Sequence, residues 1–281
     1  MFHWTARTLL LLALLIFSAF GSAQQGTPTA DRIRIGGSGG ALATLQILAD
    51  AFNKTRAPVS IVIVPSLGSG GGIQAVLAGA IDLAVISRPL KEPERGQGAV
   101  ASDYARKPFV FATAVTTRAS ASGITLRELP GIYAGDTTTW PDGRVLRLVL
   151  RPAEDSDTAL TKSLSPAMHR AVEAAQARAG LLIERTDQAN AHSLQTIPGA
   201  LGTSTLAQII SEKLALQPLA LDGVIPSLQT LDDGSYRYFK TFSFVSTPKA
   251  SPLVQQFMAF VQSPAGRQIL AKNGHSHATG S

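Results

Sequence analysis

One pattern constrains this chain more than any other: a short apolar run, a glycine-rich turn and an amphipathic stretch, in that order, occurring twice near its start. Residues 32–36 alternate Ile33 and Ile35 and run into Gly36-Gly37-Ser38-Gly39-Gly40, after which Ala41, Leu45, Leu48 and Phe52 fall on one helical face. Residues 59–65 form a continuous apolar run, and Gly68-Ser69-Gly70-Gly71-Gly72 then opens a second helical face carrying Ile73, Val76 and Leu77. A third apolar strand, residues 83–86, ends at Ser87-Arg88-Pro89. Strands alternating with helices predict a parallel sheet with helices on its faces.

Further along, residues 108–117 read as a long extended stretch suited to crossing into a second lobe. Residues 145–150 form another strand, ending at Arg151 and the run Glu154-Asp155-Ser156-Asp157-Thr158. Ser165-Pro166 has the N-cap and first-turn chemistry of a helix that Gly180 closes. Residues 199–210 pass from strand to helix. Leu253, Val254, Phe257, Phe260 and Val261 share one helical face, and Ser263-Pro264 starts a last helix. The expected architecture is α/β: two lobes, each with a mixed, mainly parallel sheet, joined by extended hinge crossovers. The expected division is residues 24–117 with 235–281 in lobe 1, and 118–234 in lobe 2.

Composition narrows the function. With 45% apolar and 16% charged residues the chain has a core to bury, and with no cysteine it has no thiol nucleophile, disulfide or zinc ribbon. The 25 basic and 19 acidic residues are dispersed, without a run that would grip a nucleic-acid backbone. A small anion suits this balance better. No cofactor or metal ligand set is indicated. Residues 1–23 combine Arg7, an apolar core and Gly21-Ser22-Ala23, the pattern of a signal peptide cut after Ala23. The apolar stretch is shorter than the ~20 residues that span a bilayer, so the chain reads as exported and periplasmic.

The turns that follow strands in an open α/β sheet collect at the carboxyl edge, where ligands bind. Each helix start offers unpaired amides and a positive dipole end, and glycine lets the backbone come close to an anion. Ser38, Gly39, Gly40, Ser69, Gly70, Gly71 and Ser87 on one lobe, with Ser156 and Thr158 on the other, are therefore candidates to cradle a tetrahedral oxyanion. Arg151 is a bidentate clamp or the partner of Glu154 or Asp155. Arg88 is a weaker candidate, with a solvated rim charge as its alternative. Asp155 and Asp157 either accept a proton from the ligand, which phosphate or arsenate can supply and sulfate cannot, or respectively cap the next helix and face water. Lys240 reads as structural, and His275-x-His277 as a frayed tail or adventitious metal site.

The wording of the chain resembles the periplasmic phosphate-binding proteins of ABC importers. It does so through residues 124–143 with Ile132, Gly135 and Trp140, through Pro198-Gly-Ala-Leu-Gly202, Val224-Ile-Pro226 and Asp233-Gly-Ser-Tyr236, and through residues 263–270. The resemblance implies a type II solute-binding fold and capture of phosphate or a related oxyanion by a monomer that delivers it to a membrane permease. It departs from that family at Ser87, where the phosphate-specific members have an aspartate, and at Asp155 and Asp157, where they have glycines. An exported oxyanion sensor for a membrane receptor has the same lobes and hinge. The motif Gly36-x-Ser38-x-Gly40 also fits a hydrolase nucleophile elbow, but too few mature residues precede Ser38 to supply the strands such an elbow needs. The sequence therefore reads as a binding protein and not an enzyme.

Overall fold

The computed structural model describes residues 32–55, 59–117 and 123–278. The expected signal peptide lies outside the described residues. Strand β1 (Arg32–Gly37) buries Ile33 and Ile35 completely and pairs in parallel with β2 (Ser60–Ile63) on one side and β3 (Leu83–Ile86) on the other. Helix α1 (Leu42–Asn53) sets Leu45, Leu48 and Phe52 against this sheet, and together they form the first core with Phe242, Phe244 and Phe257.

The glycine run after β2 is not a loop. It forms the first turns of α2 (Gly68–Leu77), and packing explains why a helix starts on poor helix formers. A Cβ on Gly72 would lie 2.8 Å from the Gly37 Cα, so side chains here would push α2 off the sheet. Gly37 itself has φ +117° and lies against the Val85 carbonyl, a position closed to any L side chain.

After α3 (Glu92–Gly96) comes β4 (Val100–Ala114), the strand that joins the two halves. Its first part pairs antiparallel with β9 (Phe239–Ser246), from Val100 opposite Ser246 to Pro108 opposite Phe239. Its second part pairs with β7 (Ala200–Thr205), from Phe109 opposite Thr205 to Ala112 opposite Gly202, and with β8 (Leu216–Pro218). The extended crossover is thus present but begins eight residues earlier than the expected start at Pro108. Polar residues in 100–107 hide it, because Lys107 is buried where a strand would ordinarily show an apolar residue.

A second core gathers around Phe109 and Phe111 with Leu148 and Leu150 of β5 (Arg147–Leu150), Tyr133 of α4 (Leu129–Ala134) and Val172 of α6 (Pro166–Ala177). Ser165 caps α6 as expected, its side chain accepting from the Met168 amide. Between them lies α5 (Ser156–Ser163), and β6 (Leu182–Ile183) closes the far edge beside β5. Helices α7 (Asp187–Thr196) and α8 (Leu206–Ser211) flank β7. The sheet order is β2-β1-β3-β9-β4-β7-β5-β6. Its outer pairings are parallel, and those made by β4 or between β3 and β9 are antiparallel.

The short α9 (Leu228–Asp232) precedes β9, and α10 (Pro252–Gln262) and α11 (Pro264–Lys272) follow it, with apolar faces turned to the first core. The histidine pair is not frayed, and among the described residues no group of His, Asp and Glu side chains is placed to hold a metal ion. Strand β10 (Ser276–His277) pairs with β4, and His275 is buried beside Phe242 with its Nε2 3.2 Å from Thr44 Oγ1.

Candidate functional site between the lobes

Four serines from four chain segments meet where the two cores face each other. Ser38 follows β1, Ser69 is in the first turn of α2, Ser87 follows β3, and Ser156 starts α5 in the other half. Ser87 stands at the centre. Its Oγ is 3.3 Å from Ser38 Oγ, 3.3 Å from Ser69 Oγ and 2.9 Å from Ser156 Oγ, and its amide donates to Ser69 Oγ. Each serine ends a strand or begins a helix, so the α/β connectivity itself brings the hydroxyls to one point.

Ser38, Ser69, Gly70, Gly71, Arg88, Asp155 and Ser156 line one cavity of about 370 Å³, which the N-terminal turns of α2 and α5 both face. First-turn amides have no acceptor within their own helix, so two sets of donors point toward this space. Gly39 and Gly40 lie under the facing lobe. Gln188 Nε2 donates to the Gly39 carbonyl at 3.1 Å, and a Cβ on Gly39 would meet Asp187 at 2.6 Å.

Other sequence candidates are engaged by protein groups. Arg88 turns to Glu94 with bonds of 2.9 and 2.7 Å, and its guanidinium holds that carboxyl below the usual carboxylate range. Thr158 Oγ1 donates to the Arg151 carbonyl. Asp155 caps α5, accepting from the Asp157 amide, and takes a 2.8 Å bond from Arg151 Nη2. Arg151 Nη1 donates to the Glu184 carbonyl at 2.6 Å, while its Nε is buried without a hydrogen-bond partner.

Asp157 does not face water. It is 3% exposed, forms a buried ion pair with Lys240 and accepts from Thr203 Oγ1 at 3.0 Å. Burial alone would raise its carboxyl, and the charges of Lys240 and Arg151 outweigh that and hold it below the ordinary value. Lys240 has the structural role expected of it in this pair, and its Nζ also donates to Ser156 Oγ at 2.8 Å, which ties it to the hydroxyl cluster.

Sequence reasoning passed over Lys107 entirely. It is 1% exposed, its Nζ sits 2.9 Å from the centre of the Phe242 ring, and burial followed by the charge of Lys240 pushes its pKa well down. Only its position opposite Lys240 in the β4–β9 register reveals it, and no local motif carries that information. Asp187, 3.9 Å from Arg151, was missed for the same reason.

A family model described as the PBP superfamily domain matches residues 22–265. The chain belongs to the PBP superfamily. Among its relatives is the phosphate-binding protein PstS of Borreliella burgdorferi, 23% identical over 250 residues, which covers 86% of this chain and 88% of that protein. The phosphate-binding protein PstS 2 of Streptococcus agalactiae is 26% identical over 120 residues, and there the match spans only 43% of this chain and 40% of the relative's length. Among solved structures, a phosphate ABC transporter substrate-binding protein from Clostridium perfringens with bound phosphate superposes with a TM-score of 0.76 over 89% of this chain and 100% of that one. At 20% identity that likeness is one of fold. The two-lobed architecture expected from the strand–turn–helix pattern is therefore that of the PBP superfamily.

Proposed function

We propose that this PBP superfamily chain is an exported, periplasmic solute-binding protein that captures phosphate or a related tetrahedral oxyanion between its lobes and passes it to the permease of an ABC importer. The observation that carries the reading is the meeting of Ser38, Ser69 and Ser87 from one side with Ser156 from the other, beneath two helix N-termini. The names of the relatives and the phosphate bound in the Clostridium perfringens structure support it. Residues 24–117 with 235–281 form one lobe and 118–234 the other, and they close about β4 and β9. Closure couples to binding because each lobe alone offers only part of the donor set.

The cations at the serines are matched by carboxylates: Arg151 pairs with Asp155 and lies near Asp187, and Lys240 pairs with Asp157. An oxyanion is then held by hydroxyls, amide dipoles and Arg151 rather than by an excess of cations, which is the chemistry of selective binding rather than of a simple electrostatic trap. The hydroxyls are linked to one another, with Ser38 Oγ donating to Ser87 Oγ, and a hydroxyl can turn to donate to a bound oxyanion.

Calorimetry on refolded, ligand-stripped protein with phosphate, arsenate, sulfate and molybdate tests this. Phosphate is expected to bind with measurable heat, and silence from all four anions ends the oxyanion reading. Arg151→Ala is expected to weaken phosphate binding about tenfold or more, or about 1.4 kcal/mol per tenfold. Wild-type affinity in that variant removes Arg151 from the site.

A further inference from the structure

The hydroxyl cluster separates two chambers, and the larger one is far bigger than a phosphate needs. Ser38 and Ser69 face the 370 Å³ cavity, Ser87 and Lys240 face a second cavity of about 780 Å³, and Ser156 and Arg88 line both. A tetrahedral oxyanion fills on the order of two water volumes, roughly 60 Å³. The larger chamber, half open to solvent, falls instead within the size range of sites that hold an organic molecule, roughly 300–1,000 Å³.

This space is not left by parted lobes. Ser87 and Ser156 are within hydrogen-bond distance across the cleft, and Gln188 bonds to Gly39 across it, so the halves are in contact while the chamber persists. Its walls also mix apolar and polar groups in a way that an anion alone would not use. Ser156 and the Lys240 ammonium share the chamber with the apolar surface of Leu160 and Phe239 and with the polar groups of Thr241, Arg95 and Asp103. Phe239 keeps 37% of its surface exposed, and the Arg106 guanidinium backs its ring at 5.4 Å.

Resting on the oxyanion reading above, we infer that the ligand is a phosphate monoester of a short hydroxylated carbon chain, its phosphoryl group at the four serines and its organic part in the larger chamber. The phosphoryl group takes the place of the Ser87–Ser156 contact, with the ester oxygen on the side of the larger chamber, which Ser87, Ser156 and Lys240 line. The carbon chain lies on Leu160 and Phe239, and its hydroxyls reach the chamber's polar groups. Ala159, exposed on α5, borders the chamber without belonging to the hydroxyl cluster, so a large side chain there fills the chamber and leaves the serines alone.

The test uses the full mature chain, stripped of ligand by unfolding and refolding, titrated with inorganic phosphate and with glycerol 3-phosphate. Glycerol 3-phosphate is expected to bind at least about tenfold more tightly than phosphate. In Ala159→Trp its affinity is expected to fall by about tenfold or more, with that of phosphate within about twofold of wild type. Phosphate binding with an ester preference below tenfold overturns the monoester assignment while the oxyanion reading stands. An ester preference that Ala159→Trp leaves intact also overturns it, since the organic part would then lie elsewhere. Heat from neither probe removes both readings together.

Discussion

Asp157→Ala is expected to lower the stability of the ligand-free protein by about 3–5 kcal/mol, the usual cost of stripping one partner from a buried ion pair. Asp157 and Lys240 are 3% and 6% exposed, so water cannot take over the ammonium that the change leaves behind. The remaining groups cannot either. Ser156 is one neutral acceptor for Lys240, and Lys107 opposite it on β4 adds a like charge. Asp157→Ala combined with Lys240→Met removes both charges and is expected to recover most of the loss, because replacing a whole buried pair by apolar groups is close to neutral. Urea denaturation of the single and double variants reads both quantities. Saturating phosphate is expected to narrow the gap between Asp157→Ala and wild type, since an anion bound beside Ser156 supplies the negative charge that Lys240 has lost. A single variant within about 1 kcal/mol of wild type would contradict the buried pair.

The double life of Lys240 shows where reading the sequence stops. Strands β1, β3 and β7 and the helices behind them were legible because their apolar spacing is local, and the serines at their ends followed from the α/β rule that puts ligand groups at strand termini. The glycines carry a packing role that the sequence does not announce. Gly72 serves the contact of α2 with Gly37, a packing need indistinguishable in sequence from a ligand-facing turn. Asp157 reads in sequence either as an acceptor of the ligand's proton or as a first-turn helix residue bound for solvent. What buries it is β9, more than eighty residues away, which returns beside β4 and sets Lys240 over it. Lys107 and His275 were hidden for the same reason: a polar residue in a core has no periodic signature, and only the antiparallel register of β4, β9 and β10 brings its partners to it. The fold was carried by short-range pattern, whereas the charges of the site depend on long-range register.

Acidification from pH 7 to pH 5 is expected to remove about 2 kcal/mol of stability through His275 alone. The ring is 1% exposed, and burial followed by the charge of Lys107 pushes its pKa down to about 3 from an ordinary 6.5. Around it stand Thr44 on α1 and Phe242 on β9, with Lys107 on β4 close enough for its charge to oppose an imidazolium. Its Nδ1 is buried without a hydrogen-bond partner. The sign follows from proton counting. Between these two values the unfolded chain carries a proton on His275 that the folded chain excludes, so unfolding takes up a proton and stability rises with pH. The contribution is complete above about pH 6.5, declines as pH falls and levels off below about pH 3. Carboxylates also titrate at the acid end of this range, so the quantity to compare is the difference between two proteins. Glutamine at position 275 keeps a group able to bond Thr44 but cannot ionise. Urea denaturation at pH 7 and pH 5 is expected to show His275→Gln losing about 2 kcal/mol less than wild type over that step. Equal losses in the two proteins would mean that the imidazole is protonated in the folded state, and that the turn joining α11 to β10 opens to water.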